Sequence, residues 1–346
     1  ELAVVIEELG RSMVPGPFLP TVLTAAVLRE AGRTAELAGL ADGATLAGVA
    51  LDPGTLRVGR GSAGTTLSGR SGFVLGGHTA DVLLVAAEDA GNRAWVLLHR
   101  DRVDVEDLPS HDVVRGNSQF EVDRLALGAD DVLRIDPQRV TDLAAALFAA
   151  EASGIADWCV RTAAEFVKMR RQFGRPIGQN QGVKHRAARM LALAEQALPP
   201  GGAEGAEASL AAAVAGATAP EAAFAVAKDC IQILGGIGFT WEHDAHLYLR
   251  RAQSLRILLG STASWRRRVT DLTRGGTRRV LGIDLPPEAE RIRDEVRGEL
   301  APAATLDGAE RTTYLAEKGY TAPHLPAPWG KGADAVTQLV IAEELR

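Results

Sequence analysis

The hydrophobic period changes twice along the 346-residue chain, and this constrains the fold more than any other feature. Residues 44–130 run in short alternating stretches, among them ATLAGVAL, ADVLLVAAED and RAWVLLH, parted by Gly, Asp and Asn. Alternation at period two between turn residues predicts strands of a small antiparallel barrel or sandwich. Residues 1–35 read as helical, with Pro15, Pro17 and Pro20 breaking the pattern after a first helix. From Pro137 to about Leu272 the period is helical again. Asp136-Pro137 and Thr141-Asp142 give its start signals, and the run through Arg171 is too long for a strand. Pro176 restarts a helix, PPGGAEGAE (199–207) reads as a loop, and Gly235, Gly236 and Gly238 interrupt the next helix. Residues 273–284 read as a linker, followed by the amphipathic helix PPEAERIRDEVRGEL with Pro286 and Pro287 near its start. Strands do not alternate with helices, so the chain is α+β in several parts and not α/β.

Two stretches at the ends match. Glu7-Glu8-Leu9 lies in ELAVVIEELGR and Glu343-Glu344-Leu345 in AVTQLVIAEELR. Self-similarity at a fixed spacing marks a repeat, which predicts one period of a longer tandem protein cut within helices. Composition excludes other classes. A net charge of −6 with pI near 5.7 offers no basic footprint for nucleic acid. The two cysteines, Cys159 and Cys230, lie far apart in no ligand-like spacing, which points to a reducing cytoplasm. No apolar run approaches the roughly 20 residues of a membrane span, and no signal peptide is visible.

Two stretches carry chemistry: RRQFGRPIGQNQGVKHRAARM (170–190) and IQILGGIGFTWEHDAHLYLRRA (231–252). Arg170 offers a fixed fork of donors suited to a pyrophosphate. Gly235 and Gly236 let backbone approach an anion. Gln172, Gln181 and Gln232 are amides able to bond adenine, ribose or phosphate oxygens, and Phe173 offers a packing face. Taken singly, Arg170 is a surface arginine and Gly235-Gly236 a helix stop; their joint occurrence gives them weight. No strand–turn–helix fingerprint surrounds Gly236, so a Rossmann site is rejected. His243 and His246 beside Glu242 and Asp244, with His185 elsewhere, read as structural and not as metal ligands.

Together the two stretches resemble the acyl-CoA dehydrogenases, in which an Arg-x-x-Phe-Gly turn precedes a Gln-bearing helix and a Gln-x-x-Gly-Gly-x-Gly turn follows later. The resemblance covers about residues 1–275 and resumes at the linker. It implies the tail of an amino-terminal helical domain (1–40), an antiparallel middle β domain (41–134), a carboxy-terminal four-helix bundle (135–275), and the linker and start of a second repeat (276–346). It also implies FAD bound through Arg170, Gln172, Phe173, Gln181, Gln232, Gly235 and Gly236, the Arg and Gly-Gly turns meeting across a subunit interface. An acyl-CoA substrate, an electron-transfer-flavoprotein-like acceptor, and a homo-oligomer or a pseudo-dimer with the second repeat complete the expectation.

The departures matter as much. Where the family carries Thr-Glu-Pro in a flavin-holding loop, this chain reads ALDPG (50–54), with Leu51 for Thr and Asp52 for Glu. The family's catalytic Glu before Gly-Thr corresponds to Leu259 in RILLGST (256–262), and the alternative position on the preceding long helix falls on Ala144. Leucine and alanine accept no proton. Asp142, read as a helix cap, and Glu151, on another helical face, are the nearby carboxylates. The chain thus resembles the two-repeat acyl-CoA dehydrogenases of actinobacteria, some of which act on sterol side-chain thioesters, and the resemblance implies that this segment is the base-deficient half. Its alternatives are a non-catalytic half that has lost flavin and an active enzyme with a displaced base.

Overall fold

The computed structural model describes residues 1–62, 64–197, 205–279 and 285–345. The chain divides into two compact units, Glu1–Arg279 and Val280–Arg346. The first opens with helices α1 (Leu2–Arg11), α2 (Phe18–Glu30) and α3 (Leu37–Asp42). Pro20 does not break α2 but sits in its first turn, where its missing N–H would be unbonded anyway. Strands β1 (Ala47–Ala50), β2 (Arg57–Gly61), β3 (Gly64–Arg70), β4 (Val74–Leu75), β5 (Val82–Asp89), β6 (Asn92–His99), β7 (Val105–Leu108) and β8 (Asn117–Leu127) follow.

These eight strands form one sheet in the order β1-β4-β8-β3-β2-β5-β6, with β7 added on β8. Most ladders are antiparallel as expected, but β5 pairs in parallel with both β1 and β2. It enters between them after the β3–β4 excursion, running the same way as each, and its pairing with β1 closes the sheet on itself. Strand β5 shows why its apolar run is nearly unbroken. Leu83, Val85 and Ala87 face the sheet interior, while Val82, Leu84 and Ala86 join the helical core. Strands buried on both faces lose the polar half of the alternation.

Helix α4 (Pro137–Met169) begins where Asp136 caps it, the carboxylate accepting from the Gln138 N–H. A two-stranded turn, β9 (Arg171–Gln172) and β10 (Arg175–Pro176), then leads to α5 (Gln181–Ala197). Pro176 therefore does not restart a helix directly: a short 3-10 turn at Ile177–Gln179 intervenes. Helix α6 (Gly205–Leu234) already includes the end of the expected 199–207 loop, the earlier part of which lies outside the described residues. It stops at Gly235, whose φ is +64°, as the glycine pattern required. Helices α7 (Ala245–Leu259) and α8 (Thr262–Arg274) complete the bundle.

Helices α4 and α6 have windows of mean hydropathy 1.4 and 1.5, long and apolar enough to cross a membrane, contrary to the sequence reading. In each, 72% of that window is buried within the fold, which marks them as core helices. Their small residues allow close approach. A Cβ on Gly154 of α4 would stand 1.9 Å from the Glu7 carbonyl, and one on Gly10 of α1 would stand 2.5 Å from that of Glu151. Helix α1 thus crosses α4 in near backbone contact, and Arg11 binds Asp157 across the crossing at 2.6 Å.

The second unit holds α9 (Glu288–Leu300), α10 (Gly308–Glu317) and α11 (Ala335–Glu344). Ala289, Val296, Tyr320, Val340 and Ile341 form its core. Arg293 reaches both Glu343 and Glu344 at 2.7 and 2.8 Å, and Arg297 also binds Glu344. Glu299 accepts from Lys331 and Tyr320, which hold its carboxyl below the usual range. Residues 280–284 of the expected linker lie outside the described residues, while α8 runs two residues into it.

Candidate functional site

The turn between α4 and α5 and the turn after α6 each end a long helix at a groove of the bundle. Met169 and Leu234, which immediately precede Arg170 and Gly235, line one apolar groove of about 420 Å³ with Trp158, Phe166 and His243. Arg170 is exposed, and its guanidinium has no hydrogen-bond or ion-pair partner among the described residues. Phe173 is 94% exposed with φ +55°, held outward by the β9–β10 turn. Gln172 is exposed on β9, Gln181 opens α5, and Gln232 lies on the exposed side of α6. Gly235 and Gly236 have open space where a Cβ would project. No hydrogen bond joins the side chains of any of these residues among the described residues. The residues that precede the Arg170 and Gly235 turns line one groove.

The histidines have local roles. The Nδ1 of His243 accepts from the Ala245 N–H, and His246 sits edge-on to Trp241. Cys159 and Cys230 are both buried between α4 and α6, and burial pushes the Cys159 thiol up.

The stretch around Leu259 lies elsewhere, where the α7–α8 junction meets the sheet. Helix α7 ends because Gly260 takes φ +88°, and Ser261 caps α8 by accepting from the Ala263 N–H. Leu51, Asp52, Trp95, Thr141, Leu259 and Gly260 line a cavity of about 290 Å³ there. A second cavity of about 760 Å³ shares Arg93, Thr141, Ser264 and Trp265 with it. Trp265 donates to the Leu259 carbonyl at 3.1 Å, and its ring packs where a Cβ on Gly216 would stand, at 2.7 Å. Sequence reasoning missed Arg93, Trp265 and Gly216, since only the fold brings a strand and two helices together.

Both base positions are now placed. Leu259 faces the cavity. Ala144 does not, being fully buried in the helical core, and the α4 residue beside the cavity is Thr141. Asp142 is not a helix cap, a role Asp136 fills. It is buried and accepts from Arg268 at 2.8 and 3.0 Å and from Ser209 at 2.6 Å. Glu151 accepts from Arg115 at 3.0 Å and from Arg251 at 2.7 Å, and Asp112 binds the same two arginines. This four-charge node ties the loop before β8 to α4 and α7. All four members are at least nine-tenths buried, and burial holds the Arg115 guanidinium below its ordinary value despite Glu151. Asp52 is the carboxylate lining the smaller cavity, and its Oδ1 accepts from the Gly54 N–H in a tight turn.

These arrangements allow a test of fit for a flavin dinucleotide. A free guanidinium, three exposed amides and two open glycines suit the phosphates and adenine. Toward the cavity, Leu51 offers an aliphatic group and no donor. The residues of the two turns would suit a dinucleotide, and Leu51 would offer it no hydrogen-bond donor from its side chain.

Residues 138–271 match the family model for the acyl-CoA dehydrogenase C-terminal domain. The chain is 43% identical over 357 residues to acyl-CoA dehydrogenase FadE34 of Mycobacterium tuberculosis, a match covering all of this chain and 48% of that protein. It therefore spans about half the length of that relative. It is 36% identical over 273 residues to acyl-CoA dehydrogenase IpdE2 of Mycolicibacterium smegmatis, covering 78% of this chain and 77% of that one. Among solved structures, the ChsE4–ChsE5 complex from Mycobacterium tuberculosis superposes with TM-score 0.70 at 24% identity, over 80% of this chain and 81% of that one. The Tcur3481–Tcur3483 steroid ACAD gives 0.67 at 27% identity, over 80% and 81%. The first of these is a likeness of fold alone.

Proposed function

Because the chain belongs to the acyl-CoA dehydrogenase family, we propose that it carries the flavin scaffold for α,β-desaturation of an acyl-CoA thioester and lacks the carboxylate that removes the α-proton. One observation carries this reading. Leu259 lines the cavity between the α7–α8 junction and the sheet, the carboxylate lining it, Asp52, is engaged with the Gly54 N–H in a tight turn, and the nearby acids of α4 are held by arginines. Neither Glu151 nor Asp142 lines that cavity; both are buried and committed to arginines of other elements. Bound FAD supplies a hydride acceptor for the β-carbon. This chain's residues do the rest of the positioning. Arg170, Gln172, Phe173, Gln181, Gln232, Gly235 and Gly236 hold the dinucleotide, and Trp265 and Thr141 shape the wall against which the thioester lies.

The base then comes from a second repeat or a partner subunit. The match between α1 and α11 supports a repeat, and so does the relative of about twice this length. On this reading the parts are 1–40, 41–134, 135–275 and 276–346, the last being a linker and the first helices of a second copy. The acceptor is a protein resembling an electron-transfer flavoprotein, the location is cytoplasmic, and a steroid-type thioester is the finer substrate assignment, by likeness to the steroid ACAD. Stopped-flow bleaching of bound flavin by acyl-CoA tests the proposal. Absence of a positioned base should slow bleaching by about two to four powers of ten, and Leu259→Glu should recover part of it. Rapid bleaching by the unmodified chain would overturn the reading. Leu51 favours the second reading, a half that no longer binds flavin, and a colourless protein that takes up no added FAD would select it.

A further inference from the structure

Helices α1 and α11 are the same sequence pattern in opposite settings. Val4, Glu7, Glu8 and Leu9 correspond at one constant spacing to Val340, Glu343, Glu344 and Leu345. In α1, Ile6 and Gly10 are buried against α4, while Leu2, Val4 and Val5 stand in solvent, Val4 at 67% exposure. In α11 the faces are exchanged. Val340 and Ile341, which correspond to Val4 and Val5, are buried at 0% and 2%, and Ala342, which corresponds to Ile6, is exposed. What covers Val340 and Ile341 is visible. It is the stripe of α9 formed by Ala289, Ile292 and Val296, flanked by Arg293 and Arg297, which bind Glu343 and Glu344. The counterpart of Glu344, Glu8, is 58% exposed and reaches only Arg11 of its own helix.

We propose that the outer face of α1, formed by Leu2, Val4, Val5 and Glu8, is the seat of an amphipathic helix with the chemistry of α9. That partner carries an Ala-Ile-Val stripe with spacing i, i+3, i+7 and two arginines one turn apart beside it. The stripe removes the valines from water, which drives association, and the arginines pair with Glu8 as Arg293 and Arg297 pair with Glu344, whereas Glu7 is turned to Ser153 of α4 and to Arg11. The inference stands on the α1–α11 correspondence and not on flavin chemistry, so failure of the bleaching experiment leaves it untouched.

The test uses the whole chain as receptor and a fluorescent synthetic peptide of residues 285–300 as probe, followed by anisotropy. Saturable binding at one peptide per chain is expected. The double substitution Val4→Asp and Val5→Asp, at exposed positions that leave the α4 contact intact, should weaken it by on the order of tenfold or more. Glu8→Arg should weaken it severalfold, and a peptide carrying Arg297→Glu should restore it, a charge reversal that a general loss of structure would not produce. No saturable binding, or binding indifferent to the α1 substitutions, overturns the proposal. So does self-association of the chain alone that is lost with the Val4 and Val5 substitutions, since the occupant would then be a second copy.

Discussion

The edge bearing Arg170, Phe173 and Gly235 and the node of Asp112, Arg115, Glu151 and Arg251 use polar groups in opposite ways. At the edge, a guanidinium, three amides and an aromatic ring project without partners. At the node, two carboxylates and two guanidinia are almost wholly buried and satisfy one another. The Nη2 atoms of Arg115 and Arg251 are the exception, being buried without a partner. Unpartnered groups at a surface cost little because water solvates them, so they can be held ready for a ligand. Buried charges must be paired within the fold. The acids that looked like spare bases in the sequence belong to the second kind.

Four outcomes would break or sharpen this contrast. The largest effect is expected at the node. Arg251→Met leaves Glu151 and Asp112 facing one arginine, and removal of one partner from a buried ion pair costs about 3–5 kcal/mol. Denaturant unfolding of the first unit should register that loss, and a change below about 1 kcal/mol would show that the node is an ordinary surface cluster. Next comes a pair of glycines. Gly154→Ala should destabilise by about 1–3 kcal/mol through overpacking, since its Cβ meets the Glu7 carbonyl. Gly236→Ala meets nothing, so its stability should stay within about 0.5 kcal/mol of the parent while retention of bound FAD falls. Equal effects on unfolding at the two positions would erase the distinction.

The third outcome separates binding from folding at the edge itself. Phe173→Ala removes a ring that touches little, so the melting temperature should hold while FAD dissociates faster in ultrafiltration. A lower melting temperature in the absence of FAD would mean that Phe173 is structural. The smallest effect concerns pH in the second unit. Glu299 and Glu344 are held below the usual carboxylate value by Lys331 with Tyr320 and by Arg297 with Arg293. A depressed folded-state pKa contributes stability that is present above the unfolded value and is lost as pH falls through the folded one. Amide NMR signals of α11 should therefore move toward unfolded positions on acidification below the ordinary carboxylate range. In Glu344→Gln that pH dependence should be reduced.

Much of this molecule is legible in its sequence because the signals are local. Asp136-Pro137 starts α4 through a cap that needs only the next two residues, and Gly235 ends α6 because the backbone turns left-handed there. The alternation of ADVLLVAAED gives a strand whatever surrounds it. The motifs at 170–190 and 231–252 are likewise contiguous, so the turns they form could be read without coordinates. The status of Asp142 and Glu151 could not. Each stands in an unremarkable helical run, and what decides its role is an arginine roughly a hundred residues away, Arg268 for one and Arg251 for the other. The cavity at Leu259 is of the same kind, since Leu51, Trp95, Thr141 and Trp265 come from four separate elements. Sequence by itself determined the elements, their order and the turns that end α4 and α6, because capping, periodicity and backbone conformation act over a few residues. Tertiary structure alone decided which charges are neutralised and which faces remain open, because pairing and burial depend on what the fold brings within a few ångströms.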